Sequence, residues 1–288
     1  MMARETWLLL DVSSLAYKHH YARGYNLEEP ETMVYGLFSD VKMLQELYNT
    51  NNVAFCFDGG YEHRLKIYPE YKQNRKRALE SMSEEDLEYR RQLRKQVHLM
   101  RTQYLPEIGS KNILHQSLYE ADDVIALVTK NLGENRDFII VSSDHDLYQL
   151  LDKNCVVWSP LKRRPTTYES FQKEFGISPK IWWKVRAISG CSSDNIIGVY
   201  GVGQIFAIRY LNGQLSEDSP KYKSIQDSAE VIKRNKLLTR LPMEGCGPFE
   251  LIPDDVTEKK WEELLARIGF EPVIKRHKTR TRTRRETV

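Results

Sequence analysis

One pattern occurs three times in this chain: a short apolar run that stops on aspartate. The runs are Trp7 to Leu10 closing on Asp11, Val53 to Phe57 closing on Asp58, and Phe138 to Val141 leading through Ser142 and Ser143 to Asp144 and Asp146. Short β-rich runs separated by helical stretches read as β-α-β units. Such units bring the carboxyl ends of all their strands to one side of a parallel sheet, where ligands bind. A fourth acidic group, Glu120-Ala121-Asp122-Asp123, opens the helical run Val124 to Leu132. The pattern predicts an α/β fold with a parallel-type central sheet flanked by helices. Its acid density points to divalent metal chemistry.

A length of 288 residues allows one large domain, or one domain with a smaller satellite. No apolar run approaches the roughly 18 residues a membrane helix needs. Trp7 to Leu10 is also too short, and too poor in flanking basic residues, for a signal peptide. A cytoplasmic protein without membrane partners is the expectation. Cys56, Cys155, Cys191 and Cys246 are far apart and form no Cys-x-x-Cys pair, so neither a zinc site nor a disulfide framework is indicated. The formal charge of +3 hides an asymmetry: residues 275–285 carry seven Lys or Arg and no acid, leaving the remainder at −4. An acidic body with basic patches suits a protein that concentrates carboxylates for metal yet holds a polyanion.

Residues 1 to about 58 read strand, helix, strand, with helical apolar spacing from Thr32 to Tyr48. Residues 59–105 have almost no apolar stripe and hold eleven Lys or Arg against seven Asp or Glu. Within them, Tyr61, Tyr68 and Tyr71 interleave with Arg64, Lys66, Lys72, Arg75, Lys76 and Arg77. A solvated helix is one reading of this stretch. A strand-gripping element, with cations for phosphates and aromatic faces for bases, is the other. A strand near Ile113, a helix from Leu147 to Leu151, a strand at Cys155 to Trp158 and a helix from Ile181 to Ile188 follow, with Trp182 and Trp183 read as packing residues. A glycine-punctuated hairpin then enters a short helix. Its Gly198, Gly201 and Gly203 offer backbone N–H groups to phosphate at a helix N-terminus. Residues from about 215 onward read as a helical satellite packed on the core.

Phosphodiester hydrolysis needs an activated water, neutralised nonbridging oxygens and help for the departing alkoxide, and two Mg²⁺ ions about 4 Å apart supply all three. Asp11, Asp58, Glu120, Asp122, Asp123, Asp144 and Asp146 have the hard oxygen character such ions require. Taken singly, an aspartate between strand and helix is more often an N-cap. Convergence of three strand ends on one edge weakens that reading.

Together these residues strongly resemble the 5′ nuclease superfamily: flap endonucleases, the 5′-3′ exonuclease domain of bacterial DNA polymerase I and, closest in look, the free-standing bacteriophage 5′ nucleases. The resemblance runs from about Trp7 to Leu211 through five ordered blocks: LLLDVSSLAY, FDGGYEHRLKIYPEYKQNRK, YEADD, SSDHDLYQLL and GCSSDNIIGVYGVG. It implies that Asp11, Asp58, Glu120 and Asp122 surround a first metal, with Asp123 close by. Asp144 and Asp146 would lie between that metal and a second, with Asp194 on the second-metal side. Tyr71, Lys72 and Arg75 would stand at the base of a helical arch admitting a single-stranded 5′ end, with Lys72 and Arg75 on the scissile phosphate. The glycine hairpin would be a helix-hairpin-helix gripping duplex DNA, with K⁺ bound in some members. Two departures stand out. Cys191 occupies the place of an expected second-metal carboxylate, so the second Mg²⁺ should be weak and Mn²⁺ a plausible rescuer. Gln204 and Ile205 replace a Lys-Thr pair after the hairpin.

The expected organisation is a nuclease core over 1–180 with the arch at about 59–105, a helical DNA-binding region over 181–274 with the helix-hairpin-helix at about 188–211, and a disordered basic tail over 275–288. The expected function is a Mg²⁺-dependent, structure-selective 5′ nuclease of replication or repair. Its substrates would be DNA with single-strand/duplex junctions or RNA-DNA primers, and its partners a single-strand binding protein or clamp, around a monomeric enzyme. A junction-binding protein of the same fold with weakened catalysis, and a PIN-type ribonuclease, are the competing readings. The long basic insertion and the glycine hairpin argue against the ribonuclease.

Overall fold

The computed structural model describes residues 4–22 and 31–270, and the basic segment 275–288 lies outside the described residues. Strand β1 (Glu5–Asp11) is followed by helices α1 (Val12–Ala22) and α2 (Thr32–Tyr48), then by β2 (Val53–Phe57). Three helices, α3 (Glu62–Ile67), α4 (Gln73–Glu80) and α5 (Glu84–Leu99), fill the basic insertion. The last runs through a π-helical turn at Met100–Tyr104 into α6 (Leu105–Ile108). Then come β3 (Ile113–His115), α7 (Ala121–Leu132), β4 (Arg136–Val141), a 3₁₀ turn at His145–Leu150, β5 (Cys155–Ser159), β6 (Arg164–Thr166) and α8 (Tyr168–Phe175).

The strands form one sheet in the order β3-β2-β1-β4-β5-β6, parallel except for β6 at the edge. Both faces are covered, so the central strands are apolar throughout and their alternate residues enter opposite cores. Trp7 and Leu9 of β1 pack with Val124, Ile125 and Ile140 on one side, whereas Leu8 and Leu10 pack with Leu37, Phe38 and Phe55 on the other. Connection order reverses between β1 and β4, which pair in register from Glu5↔Arg136 to Leu10↔Val141. This is the topological switch point of the sheet, where the loops leaving the two strands diverge and open a crevice.

Two details differ from the sequence expectation. The helix read at Leu147 to Leu151 is the 3₁₀ turn His145–Leu150, capped when Asp144 accepts the Asp146 N–H at 2.8 Å. Residues 59–105 carry a narrow apolar stripe after all: Leu93, Met100, Tyr104 and Leu105 are buried in the α1–α2 core. The C-terminal residues pack on the core. Helix α9 (Trp182–Ser189), the short antiparallel pair β7 (Gly190–Cys191) and β8 (Ile196–Ile197), α10 (Gln204–Leu211), α11 (Pro220–Asp227) and α12 (Ala229–Thr239) cover one side. The chain then returns to the β3 edge, where Asn112 donates to the Ile252 carbonyl at 2.8 Å and to Asp254 at 2.9 Å. The last helix among the described residues is α13 (Glu258–Arg267), whose Trp261 meets Phe38 edge-on at 4.3 Å between ring centroids. Among the described residues no helix is long and apolar enough to cross a membrane.

Candidate metal centre and nucleic-acid interface

The carboxyl edge gathers its acids through backbone register. Asp11 is the last residue of β1, paired with Cys56, and Asp58 lies two residues beyond that partner. Asp144 follows β4 by three residues, and Glu120 and Asp122 sit at the start of α7. Several of these acids also hold local backbone. Asp11 accepts the Ser14 N–H at 3.0 Å and the Ser142 hydroxyl at 2.7 Å, while Asp58 accepts the Ala121 N–H at 2.8 Å and so caps α7 from a neighbouring strand. The capping role is thus present, and it fixes the carboxylates in place. Each oxygen carries more than one lone pair, so a capped carboxylate can still coordinate a cation.

Asp11, Asp58, Glu120, Asp122 and Asp144 line one cleft of about 290 Å³ together with Lys72, Arg75, Ser13, Ser14 and Ser143. The acids in it are badly under-compensated. Burial, then repulsion from Asp58, lifts the Asp11 carboxyl to about 7. Burial lifts Asp122 well above the carboxylate range, with Asp144 and Asp11 adding to it, and burial raises Asp144. Glu120 is the exception: burial opposes its ionisation, but Lys72 and Arg64 outweigh that and hold its pKa low. Carboxylates forced together in low dielectric favour either protons or a divalent cation. The all-oxygen donor set suits a hard ion such as Mg²⁺ or Mn²⁺.

Lys72 and Arg75 face this cluster from the start of α4. Lys72 is paired with Glu120 and lies 3.4 Å from Asp194, and Arg75 donates to Asp194 at 2.8 Å. The Lys72 backbone adopts a left-handed φ of 55°, and its N–H bonds the Asp194 carbonyl at 2.8 Å, which ties the insertion to the segment after α9. Lys76 and Arg77 are exposed on α4 and do not line the cleft. A second cleft of about 400 Å³ continues from Asp58 and Arg75 along α5, lined by Arg94, His98, Arg101 and His115.

Several expectations need correction. Asp123 is fully buried, and both its oxygens are taken by Arg64, at 2.5 and 2.9 Å, and by the Met243 N–H at 2.8 Å. It is a structural ion-pair partner and not a member of the open acid cluster. Arg64, read as a phosphate-gripping cation, is correspondingly 2% exposed. Tyr68 and Tyr71 offer no free faces to bases. The Tyr71 hydroxyl donates to Glu120 at 2.7 Å and the Tyr68 ring lies 4.3 Å beneath the Arg234 guanidinium. Trp182 packs as expected, fully buried with its indole N–H on the His145 carbonyl at 2.8 Å, but Trp183 is only partly buried among Lys184, Lys236 and Arg240.

Asp146 and Asp194 form a separate group with Cys191, their ligating atoms all within 4.8 Å of one another. In the glycine hairpin, a Cβ on Gly198 would come within 2.5 Å of the Ser189 and Gly190 backbone, and Gly201 has a positive φ of 71°. Gly203, by contrast, has open space and an extended backbone. The Val199 and Val202 amides are consumed by the Ile188 and Val199 carbonyls, so not every hairpin N–H is available to phosphate. Residues that sequence reasoning missed are Ser142, which bridges Asp11 to the Asp144 amide, and Arg186, which pairs with Asp146. A serine after an apolar run and an arginine on a helix carry no distinguishing local pattern.

Comparison with known proteins bears on the fold and the family. Residues 6–176 match the family described as 5′-3′ exonuclease, N-terminal resolvase-like domain. A 5′-3′ exonuclease of Buchnera aphidicola is 29% identical over 79% of this chain and 77% of its own length. DNA polymerase I of Caldicellulosiruptor bescii is 28% identical over 93% of this chain, which spans 33% of that protein. Among solved structures, the bacteriophage T5 D15 flap endonuclease in a pseudo-enzyme-product complex with DNA and metal ions superposes with a TM-score of 0.71 at 20% identity, covering 92% of this chain and 99% of that one. The catalytic core of Rad2 bound to DNA substrate gives 0.54 at 13% identity, covering 95% and 90%. The chain therefore belongs to the 5′-3′ exonuclease N-terminal domain family, a group of nucleases within the 5′ nuclease superfamily.

Proposed function

We propose that this protein is a divalent-metal-dependent, structure-selective 5′ nuclease that hydrolyses phosphodiester bonds at 5′ ends, flaps or RNA primers during DNA replication or repair. The observation that carries the reading is the cleft in which Asp11, Asp58, Asp122 and Asp144 converge opposite Lys72 and Arg75. A single Mg²⁺ ion fits the donor chemistry of the acid cluster, with Asp11, Asp58, Asp122 and Asp144 as the residues that would hold it and Glu120 beside them, its oxygens on Lys72, Arg64 and Tyr71. When bound, that ion supplies Lewis-acid stabilisation and lowers the pKa of a coordinated water.

The chain's own residues would do the rest. Lys72 has three N–H donors and two carboxylate partners, leaving capacity for a phosphate oxygen. Arg75 is half-exposed at the cleft mouth and would draw the same phosphate toward the acids. Their positive charge answers the charge that develops on the nonbridging oxygens in the transition state. The cleft along α5, with Arg94 and Arg101, would carry the single-stranded 5′ side by phosphate contacts that read no sequence. The glycine hairpin with exposed Tyr200 would touch the duplex side, and a single-strand binding protein or clamp is the partner class that fits a replication role.

The test is Mg²⁺ titration over a labelled 5′-flap substrate with mapped products. Metal-dependent cleavage near the flap base supports the reading. Tight junction binding without cleavage at any Mg²⁺ or Mn²⁺ concentration would replace it with the junction-binding alternative.

A further inference from the structure

Resting on that reading of the acid cluster, the second acidic group invites a different conclusion about how many metal ions the centre holds. Asp146, Cys191 and Asp194 are close enough to share an ion. They do not suit Mg²⁺. A thiol is a soft donor that a hard, strongly hydrated ion avoids, and the Cys191 side chain is buried between the two acids.

The group already meets cations from within the chain. The Arg186 Nε lies 2.5 Å from an Asp146 oxygen, and its Nη2 lies 2.7 Å from the Cys191 sulfur. Asp194 is met by Arg75 at 2.8 Å and by Lys72 at 3.4 Å. Cys191 itself is 2.9 Å from the Ser193 hydroxyl and 3.7 Å from Asp194. Asp11, Asp58, Asp122 and Asp144 have Lys72 and Arg75 only at the margin of their cleft, whereas Arg186 lies within hydrogen-bond reach of both Asp146 and Cys191. Arg186 projects from α9, which the buried Trp182, Val185 and Ile188 anchor in the core, so its reach to Asp146 is preset.

We infer that Arg186 is a built-in cation on the Asp146–Cys191–Asp194 side of the centre, and that the protein holds one divalent ion tightly while Arg186 keeps a second from binding. The chain's second positive charge is thus supplied covalently, and a second ion must first displace the Arg186–Asp146 pair. Arg186 is a positioning residue here, acting through Asp146.

Mn²⁺ binding followed by electron paramagnetic resonance and calorimetry, without DNA, tests this independently of activity. The full-length parent should bind one tight ion, and Arg186→Gln should acquire a second, with affinity for it tightened by roughly tenfold or more, the effect one adjacent unit charge has on a neighbouring ionisation. Arg186→Lys, which keeps the charge, should still bind only one tightly. Two ions of equal affinity in the parent overturn the inference whatever the variants do, and so does an Arg186→Gln variant whose ion count and affinities match the parent. Asp122→Asn should lose the tight ion. Its persistence would overturn the acid-cluster reading itself, a failure distinct from that of Arg186.

Discussion

Arg64 forks onto Asp123, with one guanidinium nitrogen 2.5 Å from one carboxylate oxygen and another 2.9 Å from the second, and both side chains are buried. The pair joins α3, at the foot of the basic insertion, to the first turn of α7, which presents Glu120 and Asp122 to the cleft. Arg64 also reaches Glu120 at 3.0 Å and the Leu238 carbonyl at 3.2 Å. One buried cation therefore locks the insertion, α7 and α12 to one another.

Breaking that lock should cost stability before chemistry. Removing one member of a buried ion pair strands the other, which typically costs about 3 to 5 kcal/mol. Asp123→Asn is expected to lower unfolding free energy by that order in a urea melt, with no change of denaturant slope. A loss below about 1 kcal/mol, the range of exposed pairs, would show that the pair is not the anchor described.

Asp144 sits in the acid cleft, and one of its oxygens caps the turn that follows. Asp144→Asn keeps the cap acceptor and removes a negative charge near the phosphate. DNA affinity should hold or rise while single-turnover cleavage falls by roughly a hundredfold or more, beyond the 10- to 100-fold lost when only an outer partner of a metal ligand is removed. Cleavage of a 5′ flap within tenfold of the parent would sink the assignment.

Lys72 is the cation nearest the cluster, and Glu120 would keep Arg64 and Tyr71 as partners if it were lost. Removing one donor that stabilises developing charge typically raises a barrier by about 2.7 to 4 kcal/mol. Lys72→Ala is expected to depress single-turnover cleavage by that order and to weaken flap binding far less. Equal losses in rate and affinity would make Lys72 a phosphate tether only.

The metal-free protein should respond to pH in a definite direction. Burial lifts Asp11 and Asp146 from 3.8 to about 7 in the fold, with Asp58 adding to the first and Asp144 to the second. A carboxyl with a raised folded pKa binds more protons folded than unfolded between the two values, so its contribution to stability falls as pH rises through that window. With EDTA present, Tm should decline from about pH 4 to about pH 7 on account of these two groups and their contribution should level off above that. Added Mg²⁺ should raise Tm more at pH 8 than at pH 5. Asp11→Asn should flatten part of the decline, and a variant whose curve runs parallel to the parent's would remove Asp11 as a cause.

The strand ends were legible in the sequence because a short apolar run followed by aspartate encodes both the element and the place where its side chain leaves the sheet. Asp11, Asp58 and Asp144 reach one cleft for that reason, through parallel register, and Asp122 joins them from the first turn of α7. Pairings between distant residues were not legible. Arg64 stands 59 residues from Asp123, and Arg186 stands 40 residues from Asp146. In composition each is only one more arginine in a chain with 43 Lys and Arg. The burial of Tyr68 and Tyr71 likewise depended on what the remaining chain laid over them, with Arg234 from α12 on one and Glu120 ahead of α7 against the other. Local pattern decides which face of an element is apolar and where it stops. Which acid keeps an open coordination position, and which is neutralised by a buried guanidinium, is decided only by tertiary packing, because Coulomb energy and desolvation depend on distances and burial that no local spacing records.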